Sequence, residues 1–209
     1  MYVPKAFVPA DQAVLRELMS DYGFATLVSG GAAGLVATHV PVLYQPEPQP
    51  NGRLLAHVAR ANPHARALDG AEVLAIFQGP HAYVSPSWYA THPAVPTWNY
   101  AAVHVYGRAR LVNDETRLRA ILEPLVDKYE SGQPTPWSMV GLPERYTHGM
   151  MNAIVGIEID VARIEGKLKL SQNRDTEDRR RVIATLEAST DPNDRILAAY
   201  MSRHAPPAK

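Results

Sequence analysis

Cysteine is absent from the 209-residue chain, which excludes a disulfide framework, iron–sulfur clusters, thiolate zinc sites and cysteine nucleophiles together. Net charge is missing too. The 21 basic side chains balance 21 acidic ones, so no global field holds a polyanion, and any nucleic-acid role has to rest on a local patch. No apolar run approaches the roughly 18 residues of a membrane span, and Met1-Tyr2-Val3-Pro4-Lys5 lacks the charged-then-apolar order of a signal peptide. A cytoplasmic protein is the expectation. A glycine-flanked nucleophile elbow, a Walker loop, a dinucleotide Gly-x-Gly-x-x-Gly and a His-Glu-x-x-His are all lacking, and the eight histidines form no pair at i, i+2 or i+4. What is present is globular: 46% of residues are hydrophobic and 20% charged, too apolar a mix for a disordered chain.

The periodicity of the chain alternates between strand and helix. Val14, Leu15 and Leu18 predict a helix over 10–20, with Asp11 available as its cap. Residues 24–28 are β-prone. Near-continuous apolarity over 35–44 predicts a strand buried on both faces, with its Pro41 end at an edge or bulge. Pro46, Pro48 and Pro50 mark a surface loop before a return strand over 53–59. Asn62-Pro63 opens a helix by local chemistry, because asparagine is a strong N-cap and proline is tolerated at the first helical position. Two further runs, 73–77 and 81–85, are separated by Gly79-Pro80. A long aromatic loop spans 85–96, and 98–112 alternates as a strand. Leu118, Ile121, Leu122, Leu125, Val126 and Tyr129 form a helical stripe around Pro124, where a kink is expected. Shorter patterns predict a helix from Leu142-Pro143 to 150, a strand over 154–164, helices over 174–186 and 192–202, and a frayed tail over 205–209. Five or six strands with helical connections argue an α+β domain, mainly β, built on an antiparallel barrel or closed sheet.

Three local features carry chemistry. At the strand-to-helix junction His57-Val58-Ala59-Arg60-Ala61-Asn62-Pro63-His64-Ala65-Arg66, unpaired N–H groups meet His57, Arg60, His64 and Arg66, which suits a phosphate. A capped surface helix with solvated basic residues gives the same pattern. In the aromatic loop, Trp88, Tyr89, Trp98 and Tyr100 offer cover for a flat ring, while Ser85, Ser87, Thr97 and Asn99 offer hydrogen bonds to its edge. An aromatic minicore is the alternative. Lys167 and Lys169 alternate with Leu168 and Leu170, so both amines point one way. The following Arg174 and Arg179 to Arg181 are largely neutralised by Asp175, Glu177, Asp178 and Glu187, as on a solvated, salt-bridged face.

Together, Thr38-His39-Val40-Pro41, the 57–63 junction, the Ile76-to-Tyr89 segment, Val95-Pro96-Thr97-Trp98-Asn99-Tyr100 and Lys167-Leu168-Lys169-Leu170-Ser171-Gln172-Asn173-Arg174 resemble the PaiB-type FMN-binding transcriptional regulators, in order and over nearly the whole chain. The resemblance implies an FMN-binding split β-barrel with peripheral helices, related to pyridoxamine-phosphate oxidases and flavin reductases. It implies a homodimer with FMN at the subunit interface, a flavin domain over 1–172 and a C-terminal helical extension over 173–209. Residues Thr38, His39, Val40 and Pro41 are expected beside the isoalloxazine, and His57, Ala59, Arg60 and Asn62 at the phosphate and ribityl groups. Ser85, Trp88, Thr97, Trp98, Asn99, Lys169 and Gln172 are expected at the pocket or the dimer interface. His57, Asn62 and Pro63 stand where the oxidases tend to carry tyrosine, serine and arginine. The resemblance leaves open a regulator, an FMN-dependent oxidoreductase with His39, His81 or Tyr83 as proton donor, and a haem- or flavin-handling protein. Neutral charge and the lack of a helix-turn-helix signature weigh against direct reading of DNA.

Overall fold

A computed structural model describes residues 1–9, 11–31, 34–48 and 50–204. The expected helix start at Ala10 and the frayed tail over 205–209 lie outside them. Helix α1 (Gln12–Asp21) is followed by β1 (Phe24–Gly31), β2 (Gly34–Pro41), β3 (Leu43–Gln45) and β4 (Arg53–Ala59). Then come α2 (Pro63–Leu68), β5 (Glu72–Val84), β6 (Thr97–Val112), α3 (Glu115–Glu130) and α4 (Glu144–Asn152). Strand β7 (Ile154–Lys169) and helices α5 (Thr176–Glu187) and α6 (Pro192–Arg203) close the order. The strands stand as β2-β1-β5-β6-β7-β4-β3, seven rather than five or six among the described residues.

The chain divides into two compact units, each built from separate stretches. The smaller gathers Met1–Leu15, Gln78–Val103 and Glu165–Lys209; the larger gathers Arg16–Phe77 and His104–Ile164. In the larger unit β1 pairs antiparallel with β2, from Phe24 opposite Pro41 to Gly31 opposite Gly34, and β4 pairs antiparallel with β7, from Arg53 opposite Asp160 to Ala59 opposite Ile154. Alternation then sets the faces. Leu55 packs with Val112, Ile121 and Leu125 under α3, all buried, while its neighbours Leu54 and Ala56 face the other way and are fully enclosed. In β6 every odd position from Asn99 to Ala109 is buried, which is the alternation its sequence shows. Gly107 is required within that row, because a Cβ there would stand 2.3 Å from the Asp160 carbonyl oxygen.

Three expectations are corrected. Strand β2 is not buried on both faces: it is the edge of the sheet, half of its residues are exposed, Leu35 to 82%, and only Val40 is buried. A continuous apolar run signals only that something must cover it, not that the same chain does. Gly79-Pro80 does not interrupt the sheet, since β5 runs through both. Strand β1 pairs only with Val73 to Ile76 of β5, so Pro80 sits beyond that ladder, where a missing N–H costs little on that side. Strand β7 runs five residues past Ile164, so Lys167 and Lys169 lie on it rather than in a separate segment.

Candidate functional site

In the larger unit, Asn62 and His64 build a polar corner with Thr38 and Ser29 where β2 meets the start of α2. Asn62 holds an extended backbone and caps the helix, its Oδ1 accepting from the His64 N–H at 2.9 Å. Its Nδ2 donates to Thr38 Oγ1 at 3.4 Å. Thr38 Oγ1 lies 2.7 Å from His64 Nδ1, and Ser29 Oγ lies 2.9 Å from His64 Nε2. Burial lowers the His64 pKa below its ordinary value near 6.5, so the ring is neutral at pH 7. A neutral ring donates from one nitrogen and accepts at the other, so Thr38 and Ser29 take opposite roles on it, and either tautomer gives both ring nitrogens a partner. Acid destroys this order, because a protonated ring donates from both nitrogens and accepts at neither. The folded pKa lies below the unfolded one, so this stabilisation is complete above about pH 6.5 and is lost as pH falls toward the folded value. A stability profile that stays flat from pH 7.5 to 5 in wild type, and matches His64→Gln throughout, would contradict it.

Beside this corner, His39 is exposed, meets Thr26 Oγ1 through Nδ1 at 3.1 Å and stacks on Phe24 at 6.0 Å. Val40 alternates inward and is buried, and Ala59 is exposed. Arg60 is fully employed within the unit. Its Nε donates to the Asn152 carbonyl at 3.0 Å, Nη1 to Asn113 Oδ1 at 2.8 Å and Nη2 to the Ile154 carbonyl at 2.8 Å. Arg60→Ala is therefore expected to lower thermal stability, by about 1–3 kcal/mol for lost charge-assisted bonds, with little change in ligand affinity. Pro41 and His57 line a different place, a pocket of about 290 Å3 with Leu125, Val126, Tyr129 and Trp137. Burial lowers the His57 pKa, and its Nδ1 is enclosed without a hydrogen-bond partner.

The smaller unit assembles the remaining residues. Lys169 Nζ donates to Thr97 Oγ1 and, at 2.8 Å, to the Trp98 carbonyl. Burial first, and Lys167 second, lower its pKa. Trp98 is half exposed and meets Tyr83 edge-on at 6.1 Å and His81 at 6.3 Å. Ser85 caps the short turn that carries Trp88, accepting from the Ser87 N–H at 3.3 Å. Asn99 is buried, with Nδ2 on Ser171 Oγ at 2.9 Å. Gln172 braces the chain end of β7, accepting from Leu170 N–H at 2.7 Å and donating to the Leu168 carbonyl at 2.6 Å. Thr97, Trp98 and Lys169 are thus brought together, while Gln172 is bonded to the backbone beside it and Asn99 keeps an enclosed Oδ1 without a hydrogen-bond partner.

Sequence reasoning missed the anchor of the aromatic loop. Asp178, read as one of several neutralising acids, is 1% exposed, and its Oδ1 accepts from Ala90 N–H at 2.7 Å and Thr91 N–H at 3.1 Å. Arg174 covers Tyr89 beside it, 4.2 Å from the ring centroid. Asp178→Ala leaves two amides unpaired and is expected to cost about 2–4 kcal/mol; faster hydrogen exchange at Ala90 and Thr91 is the local readout. Nothing in the sequence distinguishes Asp178 from the acids around it.

The β2–α2 corner suits the polar arm of FMN. Strand β2 is an edge, so alternate main-chain N–H and C=O groups face no other strand among the described residues. Asn62 has a second amide N–H beside the half-buried Thr38 hydroxyl, and the exposed Arg66 lies in the last turn of α2. Phosphate oxygens take N–H and guanidinium donors, and ribityl hydroxyls take acceptors such as Thr38 Oγ1. The residues present fit the group, with Arg66 rather than Arg60 as the uncommitted cation.

A family model described as "Putative FMN-binding domain" matches residues 1–163. Among curated proteins, the chain is 35% identical over 202 residues to the protease synthase and sporulation protein PAI 2 of Bacillus subtilis, covering 96% of each. It is 33% identical to an uncharacterized protein of Emericella nidulans, covering 90% of each. Among solved structures, the flavocytochrome Anf3 of Azotobacter vinelandii superposes with a TM-score of 0.63 at 17% identity, over 85% of this chain and 77% of that one. The FAD and heme binding protein of Mycobacterium smegmatis gives 0.59 at 15% identity, over 82% and 77%. These two show the fold. The chain belongs to the FMN-binding domain family, as an FMN-binding split-barrel protein of the PaiB type.

Proposed function

We propose that the protein is a cytoplasmic, homodimeric FMN-dependent regulator that holds the phosphate and ribityl arm of FMN at Thr38, Asn62 and Arg66. The observation that carries this reading is the His64-centred corner on an open edge strand, a set of neutral donors and acceptors whose orientation is fixed by one buried, neutral imidazole. Val40 shapes the strand from inside, and Thr97, Trp98 and Lys169 form a second set for flavin or subunit contact. We read 1–172 as the flavin domain and 173–209 as its helical extension. The dimer is supported by β1 and β2, where Phe24 is 69% and Leu35 82% exposed, more apolar surface than an edge strand leaves to water without aggregating.

The regulatory role rests on the resemblance of the motifs to the PaiB-type regulators, and the relative PAI 2 is named for protease synthesis and sporulation. Direct groove reading is not supported, since the formal charge is zero. The output is read here as a change in the protein's own assembly or partners when FMN is bound. A second reading, an FMN-dependent oxidoreductase, is favoured by one observation: His39 is exposed on the edge strand with its Nδ1 already oriented by Thr26, leaving Nε2 to hold or deliver a proton. FMN would supply the electron transfer.

Titrating purified protein with FMN, with light scattering on the eluting species, tests the main reading. Saturation at one FMN per chain on a dimer is expected; a monomer, or no saturation at near-millimolar FMN, overturns it. Bleaching near 450 nm by NAD(P)H, lost in His39→Ala, would move the oxidoreductase reading ahead.

A further inference from the structure

A second pocket adjoins the one that holds Pro41 and His57. It measures about 280 Å3, lies wholly within the larger unit against α3, α4 and the segment between them, and shares His57, Leu122, Val126 and Trp137 with its neighbour. Met139, Met150 and Met151 complete its walls. The rim is apolar and open: Trp137 is 50%, Met150 55% and Tyr146 57% exposed. No lysine, arginine, aspartate or glutamate lines it. The hydroxyl of Thr147 is turned back onto the Pro143 carbonyl at 3.3 Å, which leaves His57 as the inner polar group. Burial keeps that imidazole neutral at pH 7. Its Nδ1 is enclosed with no partner, and an enclosed lone pair is cheaper than an enclosed N–H, so the proton resides on Nε2.

We propose that this pocket binds a small uncharged aromatic ligand of one or two fused rings carrying a carbonyl oxygen, with His57 Nε2–H donating to that oxygen. Each part of the class follows from the walls. The absence of lining charge disfavours phosphates, carboxylates and amines, which would be desolvated without a counter-charge. Three thioethers and Trp137 favour a polarisable ring and adapt to its outline. A volume near the lower end of the roughly 300–1,000 Å3 of ligand pockets admits a single or bicyclic ring rather than a nucleotide or a peptide. One N–H donor asks for one acceptor, and an aromatic ketone supplies it. The pocket is separate from the Thr38, Asn62 and His64 corner, so the inference stands or falls apart from the placement of FMN.

The test uses the full chain, loaded with FMN and carrying 13C-methyl methionine, titrated with 1-indanone and in parallel with indane, the same skeleton without the oxygen. Saturable shifts are expected at the methyls of Met139, Met150 and Met151, with indane about tenfold weaker, the worth of one hydrogen bond. His57→Phe, which keeps an aromatic ring and removes the donor, is expected to reduce indanone to the affinity of indane. Val126→Trp fills the cavity and is expected to abolish both; should that variant not fold, His57→Phe decides alone. Shifts that do not saturate, equal affinities for the two compounds in wild type, or release of FMN by indanone would each overturn the proposal. The last would make the pocket the flavin ring's own seat.

Discussion

Glu158→Ala is expected to lower the unfolding free energy by about 3–5 kcal/mol, the range for removing one partner of a buried ion pair, and it should be the most damaging single substitution in the larger unit. Glu158 is 5% exposed on β7, opposite Leu55. Arg117 Nη2 donates to both its oxygens, at 2.8 and 2.7 Å, with Arg53 at 3.7 Å and Arg110 at 3.8 Å. The three arginines do not lose equally. Arg110 is half exposed and has Asp160 at 2.9 Å as a second partner, and Arg117 is exposed enough to rehydrate. Arg53 is only 26% exposed, and its Nε is already enclosed without an acceptor. Its ion pair is with Glu158, and Asp160, opposite it on β7, is already bonded to Arg110, so its charge would be left the least compensated, which is where most of the cost arises. Glu158→Gln keeps an acceptor for Arg117 and should cost less than the alanine change. Denaturant unfolding of the three proteins checks this; a loss under 1 kcal/mol for the alanine variant would mean that the arginines are solvated without the carboxylate.

Asn62→Asp is expected to weaken FMN binding about 10–100-fold while leaving stability near wild type. An alanine at 62 would confound two roles, because it removes the helix cap, worth about 1 kcal/mol, together with the amide donors. Aspartate separates them. It still accepts from the His64 N–H, as Asn62 does, and an acidic cap suits the start of α2. What it lacks are both amide N–H groups, and it sets a negative charge where the phosphate would stand. Loss of a hydrogen bond to a charged group is worth about 1.5–3 kcal/mol, which gives the affinity range. Fluorescence titration with FMN, alongside a thermal melt of the apo-protein, reads the two effects apart. Unchanged affinity would place the phosphate away from this corner.

Much of the corner was legible in the sequence because its chemistry is local. Asn62-Pro63 predicts a capped helix start from two adjacent residues, and α2 begins at Pro63 with the Asn62 side chain in place. The alternation of β6 and the stripe of α3 follow from period alone, whereas the inward position of Val40 does not, since the apolar run over 35–44 predicts burial on both faces. Arg60 and His57 were not legible in the same way. Both lie in the junction that suits a phosphate, but Arg60 turns to carbonyls about ninety residues away, and β-strand alternation directs His57 toward α3. The importance of Asp178 is likewise long-range, since its partners Ala90 and Thr91 sit 88 and 87 residues before it.

Through composition and local pattern the sequence excludes a thiol, disulfide or strongly basic protein and places most of the helices, strands and caps, because those depend on residue content and on neighbours within one turn or one pleat. It also carried the motifs that mark the family. Tertiary structure alone decided that β2 is an exposed edge, that His64 rather than Arg60 organises the polar corner, and that His57 opens into an apolar pocket. Each of these depends on which residues far apart in the chain come within about 3–4 Å, and hydrophobic periodicity records that a face is covered without recording what covers it.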